Sequence, residues 1–255
     1  MTYETLKIER KGPLMTVLLN RPEKLNAINQ QMHLDLQALC RELTEDFETR
    51  VVILAGEGRT FSSGADTSEW GQAGPDNELE LRHQAGIGSR TSAALESLDQ
   101  VTIAAVHGFA VGGAVVLALC CDLRVAGEST WFSIPEVEMG IPLSWNALPR
   151  LSREVGPSRA LELTITCERF SAKQAYEYGM LSRVAPDGEE SNAARELAQR
   201  IIDMPPLPVA LTKATMRAIK RGSEMGEAVY SDPDLLLYSR LVRQRAARRE
   251  GQHRG

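Results

Sequence analysis

Long apolar runs are missing from this chain. None approaches the roughly 18 consecutive apolar residues that a membrane-crossing helix needs, and mean hydropathy is −0.23. Cysteine is scarce, with four in 255 residues at positions 40, 120, 121 and 167. These positions contain no CxxC pair and no Cys/His spacing that would hold a metal, so no metal site is expected. Adjacent Cys120 and Cys121 cannot bridge comfortably, and so few thiols suit a reducing compartment. Positive charge is not in excess either. Lys plus Arg total 29 against 34 Asp plus Glu, a net charge of −5 that gives no global field to draw nucleic acid. The opening MTYETLKIERKG has neither an apolar signal segment nor Arg/Ser-rich transit character. No Walker-type loop, dinucleotide fingerprint or Ser-His-Asp order occurs. The expectation is a cytoplasmic globular protein without nucleic-acid or membrane partners.

Hydrophobic residues make up 43% and charged residues 25%, ordinary globular proportions. The length suits one α/β core with an appended piece. Thr5–Glu9 and Leu14–Leu19, split by Lys11-Gly12-Pro13, read as a β-hairpin. Ile28, Met32, Leu36, Leu39, Cys40 and Leu43 then form one helical stripe, with Gln31, Asp35, Arg41 and Glu42 on the opposite face. His33 falls off the stripe and is expected to be exposed. Val51–Ala55 and Val101–Val106 suit strands buried on both faces. Gly112–Cys120 reads as helix and Leu123–Ala126 as strand, an alternation that argues for an α/β fold. Beyond about residue 145 helices dominate, at Arg159–Thr166, Ala172–Tyr178, Ala193–Ile202 and Pro208–Lys220, with one strand at Leu181–Ala185. The prolines at 205, 206 and 208 mark a boundary. Residues 1–203 are read as the core and 204–255 as a C-terminal helical region. The last sixteen residues hold six arginines against one glutamate, either a solvated helix face and frayed tail or an RNA- or phosphate-binding arm.

Two glycine-containing loops each follow a buried strand: Phe61-Ser62-Ser63-Gly64-Ala65-Asp66 and Gly108-Phe109-Ala110-Val111-Gly112-Gly113-Ala114. Glycine lets backbone approach a ligand closely. A helix starting near Gly112 would aim free N–H groups and its positive dipole end at whatever sits there. One donor from each loop could grip a single oxygen that turns negative. The plain alternative is ordinary turn chemistry between strand and helix.

Leu19-Asn20-Arg21-Pro22-Glu23-Lys24-Leu25-Asn26-Ala27 resembles the opening signature of the crotonase superfamily, the enoyl-CoA hydratases and isomerases. The likeness recurs in order through Ser63-Gly64-Ala65-Asp66, Ala110-Val111-Gly112-Gly113-Ala114, Cys121-Asp122 and Phe132-Ser133-Ile134-Pro135-Glu136. It continues through Gly156, the Arg159–Thr166 helix, Ser171-Ala172-Lys173-Gln174-Ala175, Gly179 and Leu181, covering most of residues 3 to 200. The resemblance implies an α/β spiral of stacked β-β-α units with a C-terminal helical region. It implies an acyl-CoA thioester substrate, with no cofactor beyond its coenzyme A moiety. It also implies a homotrimer or dimer of trimers built through the C-terminal helices, where Leu235-Leu236-Leu237-Tyr238 would be an apolar contact patch.

By match, the thioester oxygen would sit between the backbone N–H groups of Ala65 and Gly113, where an enolate is stabilised. Ala27, Ser63, Gly64, Asp66, Thr67, Ser68, Gly112, Val116 and Trp145 would line the substrate site. Lys24 and Arg59 could contact CoA phosphates or be ordinary surface charges. Asp66 has a second reading as a helix N-cap, with Glu69 completing a capping box.

Two departures from the hydratase pattern matter. Hydratases resembling this chain use two glutamates. The first matches Val116, which cannot titrate; the second matches Glu136. One carboxylate suits a one-base proton transfer, the logic of the similar 3,2-enoyl-CoA isomerases, so Glu136 is expected to be the general acid/base. Glu138 and His107 are the reserve groups should hydration survive. A non-catalytic acyl-CoA binding protein is the reading outside enzymes. The second departure is Leu143-Ser144-Trp145-Asn146-Ala147, where hydratases usually carry glycines. Trp145 would either reshape or cap the acyl pocket, or pack in the core of the next helix. One family branch pairs hydration with RNA binding through a lysine-rich early helix, but residues 28–50 contain no lysine.

Overall fold

The computed structural model describes residues 3–69 and 77–222. The Leu235–Tyr238 patch and the arginine-rich tail lie outside the described residues. β1 (Leu6–Lys11) and β2 (Leu14–Leu19) form the expected hairpin around Gly12, whose φ of 57° suits glycine. α1 (Gln30–Thr44) follows, capped by Asn29, whose side chain accepts from Met32 N–H. Then come β3 (Val51–Gly56), α2 (Glu78–Ala85), α3 (Ile87–Ser97), β4 (Val101–Val106), β5 (Phe109–Val111) and α4 (Gly113–Cys120). β6 (Leu123–Gly127), β7 (Trp131–Ser133), α5 (Ala147–Val155), α6 (Pro157–Thr166), β8 (Phe170–Ser171) and α7 (Ala172–Glu177) come next. β9 (Arg183–Ala185), α8 (Glu190–Ile202) and α9 (Pro206–Gly222) complete the described chain.

Six strands form one sheet in the order β1-β2-β3-β4-β6-β9, parallel throughout except for the β1–β2 pair. A second sheet, β5-β7-β8, stands beside it. The main sheet is apolar on both faces, as continuous runs such as Val51–Ala55 require. Met15, Val17, Leu19, Val52, Leu54, Ala104 and Val106 face the larger core with α1 and α4. Val51, Ile53, Ala55, Ile103, Ala105 and Val125 face α8, which contributes Ala194 and Ala198.

Two sequence expectations about α1 fail. His33 is buried, 3% exposed, because α3 lies over it. Its Nδ1 is 2.9 Å from Thr91 Oγ1. Asp35, assigned to the solvent face, is 6% exposed and accepts from both the N–H and the hydroxyl of Thr5. The helix is covered on two sides rather than one.

Candidate active site

The first loop is held from behind by Asn26. Leu25 and Asn26 both have φ of 54°, in the left-handed region that asparagine tolerates best among residues with a Cβ. The buried Asn26 amide donates to the carbonyls of Glu57 (2.8 Å) and Thr60 (2.9 Å) and accepts from Arg21 N–H. The Ser62 hydroxyl donates to Asn26 O and accepts from Gly64 N–H. A short parallel bridge clamps the peptides on either side of Ala65: Ile28 N–H donates to Gly64 O, and Asp66 N–H to Ile28 O. Among the described residues the Ala65 N–H itself donates to nothing.

The second loop runs from β5 into α4. Gly112 has φ of 53°, and its N–H donates to Ser133 O at 2.9 Å. Gly113 opens the helix, so its N–H has no carbonyl a turn earlier to receive it; it too donates to nothing among the described residues. The loops touch at backbone level. A Cβ added to Gly64 would strike the Val111 carbonyl and lie 3.3 Å from Gly113 N. Two unused donors therefore come from neighbouring loops, one of them at a positive helix end.

Glu136 arrives from the other side, on the tight turn after β7. Met139 N–H to Pro135 O, Gly140 N–H to Val137 O and Ile141 N–H to Glu136 O fix that turn. Its carboxylate lies against Gly112, where an added Cβ would sit 2.5 Å from Oε1. Oε2 is buried without a hydrogen-bond partner among the described residues. Burial pushes the carboxyl up from 4.5 to about 7, with its own backbone N–H as a smaller opposing influence. A carboxyl poised near neutrality, with one oxygen unpartnered and the other against Gly112, next in sequence to an unused N–H donor, can take up and release a proton.

Val116 lies one turn into α4, 1% exposed, and every residue of that helix is buried. Glu138 is exposed, and His107 Nε2 is 3.0 Å from Gly58 O, a backbone contact.

Trp145 and Asn146 have φ of 61° and 57°, strained for side chains of this size. The Trp145 indole is half-buried between two glycines. A Cβ on Gly88 of α3 would collide with its pyrrole ring, and a Cβ on Gly113 with its benzene ring. His33 meets the indole edge-on at 4.7 Å and 80°. Arg150 Nη1 donates to the carbonyls of Trp145 (2.9 Å) and Asn146 (2.6 Å), and the same guanidinium pairs with Glu96 of α3. Trp145 thus precedes the next helix, and its half-buried indole packs against the larger core.

The remaining sequence candidates are spread along the first loop. Ala27 is buried and Ser63 half-buried. Thr67, Ser68, Lys24 and Arg59 are exposed. Asp66 caps the short 3-10 turn Thr67–Glu69, as its second reading has it: Oδ1 accepts from Ser68 N–H and hydroxyl, while Oδ2 pairs with Arg21 at 2.8 Å. The Ser68 hydroxyl first, then Arg21, hold its carboxyl below the ordinary range. Arg21 also donates to Ala27 O, which joins the first loop to the segment before α1. The supporting residues Arg21, Asn26, Ser62 and Arg150 were not among the sequence candidates. Arg21 and Asn26 lay inside the quoted opening motif, which was the available signal. A separate cavity of about 250 Å³ opens on the α8 side of the sheet, lined by Lys7, Glu9, Thr16, Leu18 and Arg195 among others, and shares none of these residues.

A family model described as enoyl-CoA hydratase/isomerase matches residues 9–254. A short-chain-enoyl-CoA hydratase of Clostridium acetobutylicum is 35% identical over 225 residues, 88% of this chain and 84% of the relative. The crystal structure of an enoyl-CoA hydratase from Bacillus anthracis superposes with TM-score 0.80 at 31% identity, covering 94% of this chain and 92% of that one. A monofunctional enoyl-CoA isomerase from M. smegmatis superposes with TM-score 0.72 at 31% identity, covering 89% and 97%.

Proposed function

Because this chain belongs to the enoyl-CoA hydratase/isomerase family, we propose that it shifts the double bond of an enoyl-CoA, with Glu136 as the one acid/base. The observation that carries this reading is the pairing of a buried, near-neutral Glu136 carboxyl with apolar, buried Val116. The thioester oxygen accepts from the N–H groups of Ala65 and Gly113. Both are rigid before substrate arrives, so no reorganisation is needed as charge develops; each such donor is typically worth about 3 kcal/mol in the transition state. With a 3-enoyl-CoA, the Glu136 carboxylate takes a proton from C2, and the electron pair moves onto the thioester oxygen as a dienolate. The same carboxyl then returns a proton to C4, leaving the 2-enoyl-CoA. No water is added and none is lost.

Hydration is the second reading, favoured by the hydratase names among the relatives. It needs a group to replace the first glutamate, and the exposure of Glu138 and the backbone contact of His107 argue against both reserves. Non-catalytic binding is the remaining outcome. In the same reading Ala27, Ser63, Gly64, Asp66, Thr67 and Ser68 border the pantetheine path. Lys24 is a candidate for the CoA phosphates. Residues 1–203 form the catalytic core. Residues from 204 on join a homotrimer or dimer of trimers, supported by the exposed Leu207, Leu211, Met216 and Ile219 of α9. The enzyme works in the cytoplasm on fatty acyl thioesters, without a metal or further cofactor.

The test is mass spectrometry of a 3-enoyl-CoA and a 2-enoyl-CoA, each incubated with the protein in deuterated water. Double-bond migration with deuterium in an unhydrated product is the expected result. A gain of the elements of water would replace this reading with hydration, and binding without any chemical change would leave an acyl-CoA binding protein.

A further inference from the structure

We infer that Trp145 closes the acyl end of the site and limits the substrate to short acyl groups. This rests on the proposed acyl-CoA reading of the Ala65/Gly113 donor pair. The indole does not merely lie near the site; the fold makes a slot for it. Gly88 in the first turn of α3 and Gly113 at the start of α4 each leave out the one carbon that would strike the ring. The ring therefore spans the gap between the two helix starts, with its benzene edge on the very residue whose N–H serves the thioester oxygen.

An acyl chain bound there has its carbonyl oxygen at Gly113 and its α-carbon toward Glu136, which lies over Gly112. Carbons beyond that point meet the indole. The ring is also hard to displace. Arg150, itself 4% exposed, holds the carbonyls of Trp145 and Asn146 and is tied to Glu96 of α3. His33 abuts the edge of the indole, and its contact with Thr91 Oγ1 is joined by a hydrogen bond from Gln37 to that hydroxyl. The Thr91 hydroxyl donates to Ile87 O, so the His33 Nδ1–H is the donor in the first contact. Burial lowers the His33 pKa to about 3, so the imidazole stays neutral. His33, Gln37, Thr91, Glu96 and Arg150 act as positioning residues, and the strained backbone at Trp145 and Asn146 is what their contacts hold in place.

The experiment measures kcat/KM on a series of enoyl-CoAs from butenoyl to dodecenoyl, for wild type and for Trp145→Gly. Glycine adopts the left-handed backbone at this position freely, so this variant opens the gap while relieving strain. Trp145→Leu is the companion, shortening the side chain while keeping it apolar. Calorimetric affinities for saturated acyl-CoAs of the same lengths are measured in parallel. The expected result is a wild type that prefers the shortest chains. In both variants the preference moves toward longer chains, the ratio of long to short rising roughly tenfold or more in Trp145→Gly. An equal change at every length in a folded variant, or a wild type indifferent to length, overturns the proposal. If no enoyl-CoA is turned over but the affinities shift with length as described, the isomerase reading fails and the role of Trp145 stands.

Discussion

The two walls that meet at Gly112 and Gly113 are built on opposite principles. On the α4 side every residue from Gly113 to Cys120 is buried, Val116 among them in the larger core. On the facing side, the segment from Ile134 to Asn146 carries a buried carboxyl raised to about 7, an unpartnered carboxylate oxygen and two left-handed residues with side chains. One wall supplies backbone donors on a rigid apolar support; the other supplies titration and strain. Unlike the two-glutamate arrangement expected of hydratases, the asymmetry puts a carboxylate on one wall only.

The strongest way to break this contrast is Glu136→Gln, which keeps shape and removes the base. Turnover in a coupled assay should fall by about three orders of magnitude. Next is Gly112→Ala: its Cβ would strike Glu136 Oε1 at a backbone φ of 53°. Misplacing the carboxylate should cost on the order of a hundredfold in kcat/KM. The pH profile of wild type sharpens the same point. Glu136 must be ionised to accept a proton, so kcat/KM should level off above about 7 and fall about tenfold per unit below it. Stability runs the other way. A carboxyl whose folded pKa is raised stabilises fully below its ordinary 4.5, and this contribution is lost as pH rises toward and past about 7. Glu136→Gln should therefore raise stability under alkaline conditions, by up to about 3 kcal/mol in urea titrations, and leave it unchanged in acid.

The α4 wall should respond in the opposite manner. Val116→Ala should change kcat/KM by less than about threefold while lowering stability by about 2 kcal/mol, read as the urea midpoint. Smallest of all, Glu138→Gln, at an exposed position, should leave both within about a factor of two. A large kinetic effect from either would mean that the division between the walls is drawn in the wrong place.

Much of this was legible before folding. Continuous apolar runs announced the central strands, and glycines after two of them marked the loops in which the Ala65 and Gly113 N–H groups go unused among the described residues. What escaped had physical reasons. β5, β7 and β8 have three residues or fewer, too short to display a period of two. His33 and Asp35 looked solvent-facing because an amphipathic pattern assumes one wet side, whereas α3 and the approach to β1 cover α1 from two directions. Arg21 reaches Asp66, Asn26 the carbonyls of Glu57 and Thr60, and Arg150 reaches Glu96, all far along the chain, and pairings of that kind leave no spacing to read. The residue Trp145 was visible; its glycine slot was not, since Gly88 stands far from it in sequence.

The central claim is that one carboxyl removes the proton and gives it back. A 3-enoyl-CoA deuterated at C2, converted in ordinary water under single-turnover conditions, tests it directly. The account predicts 2-enoyl-CoA that carries a measurable share of the label at C4, delivered by Glu136 before exchange with solvent. Product with deuterium left only at C2 and none at C4 at the first turnover, C4 being protonated from water alone, would contradict it.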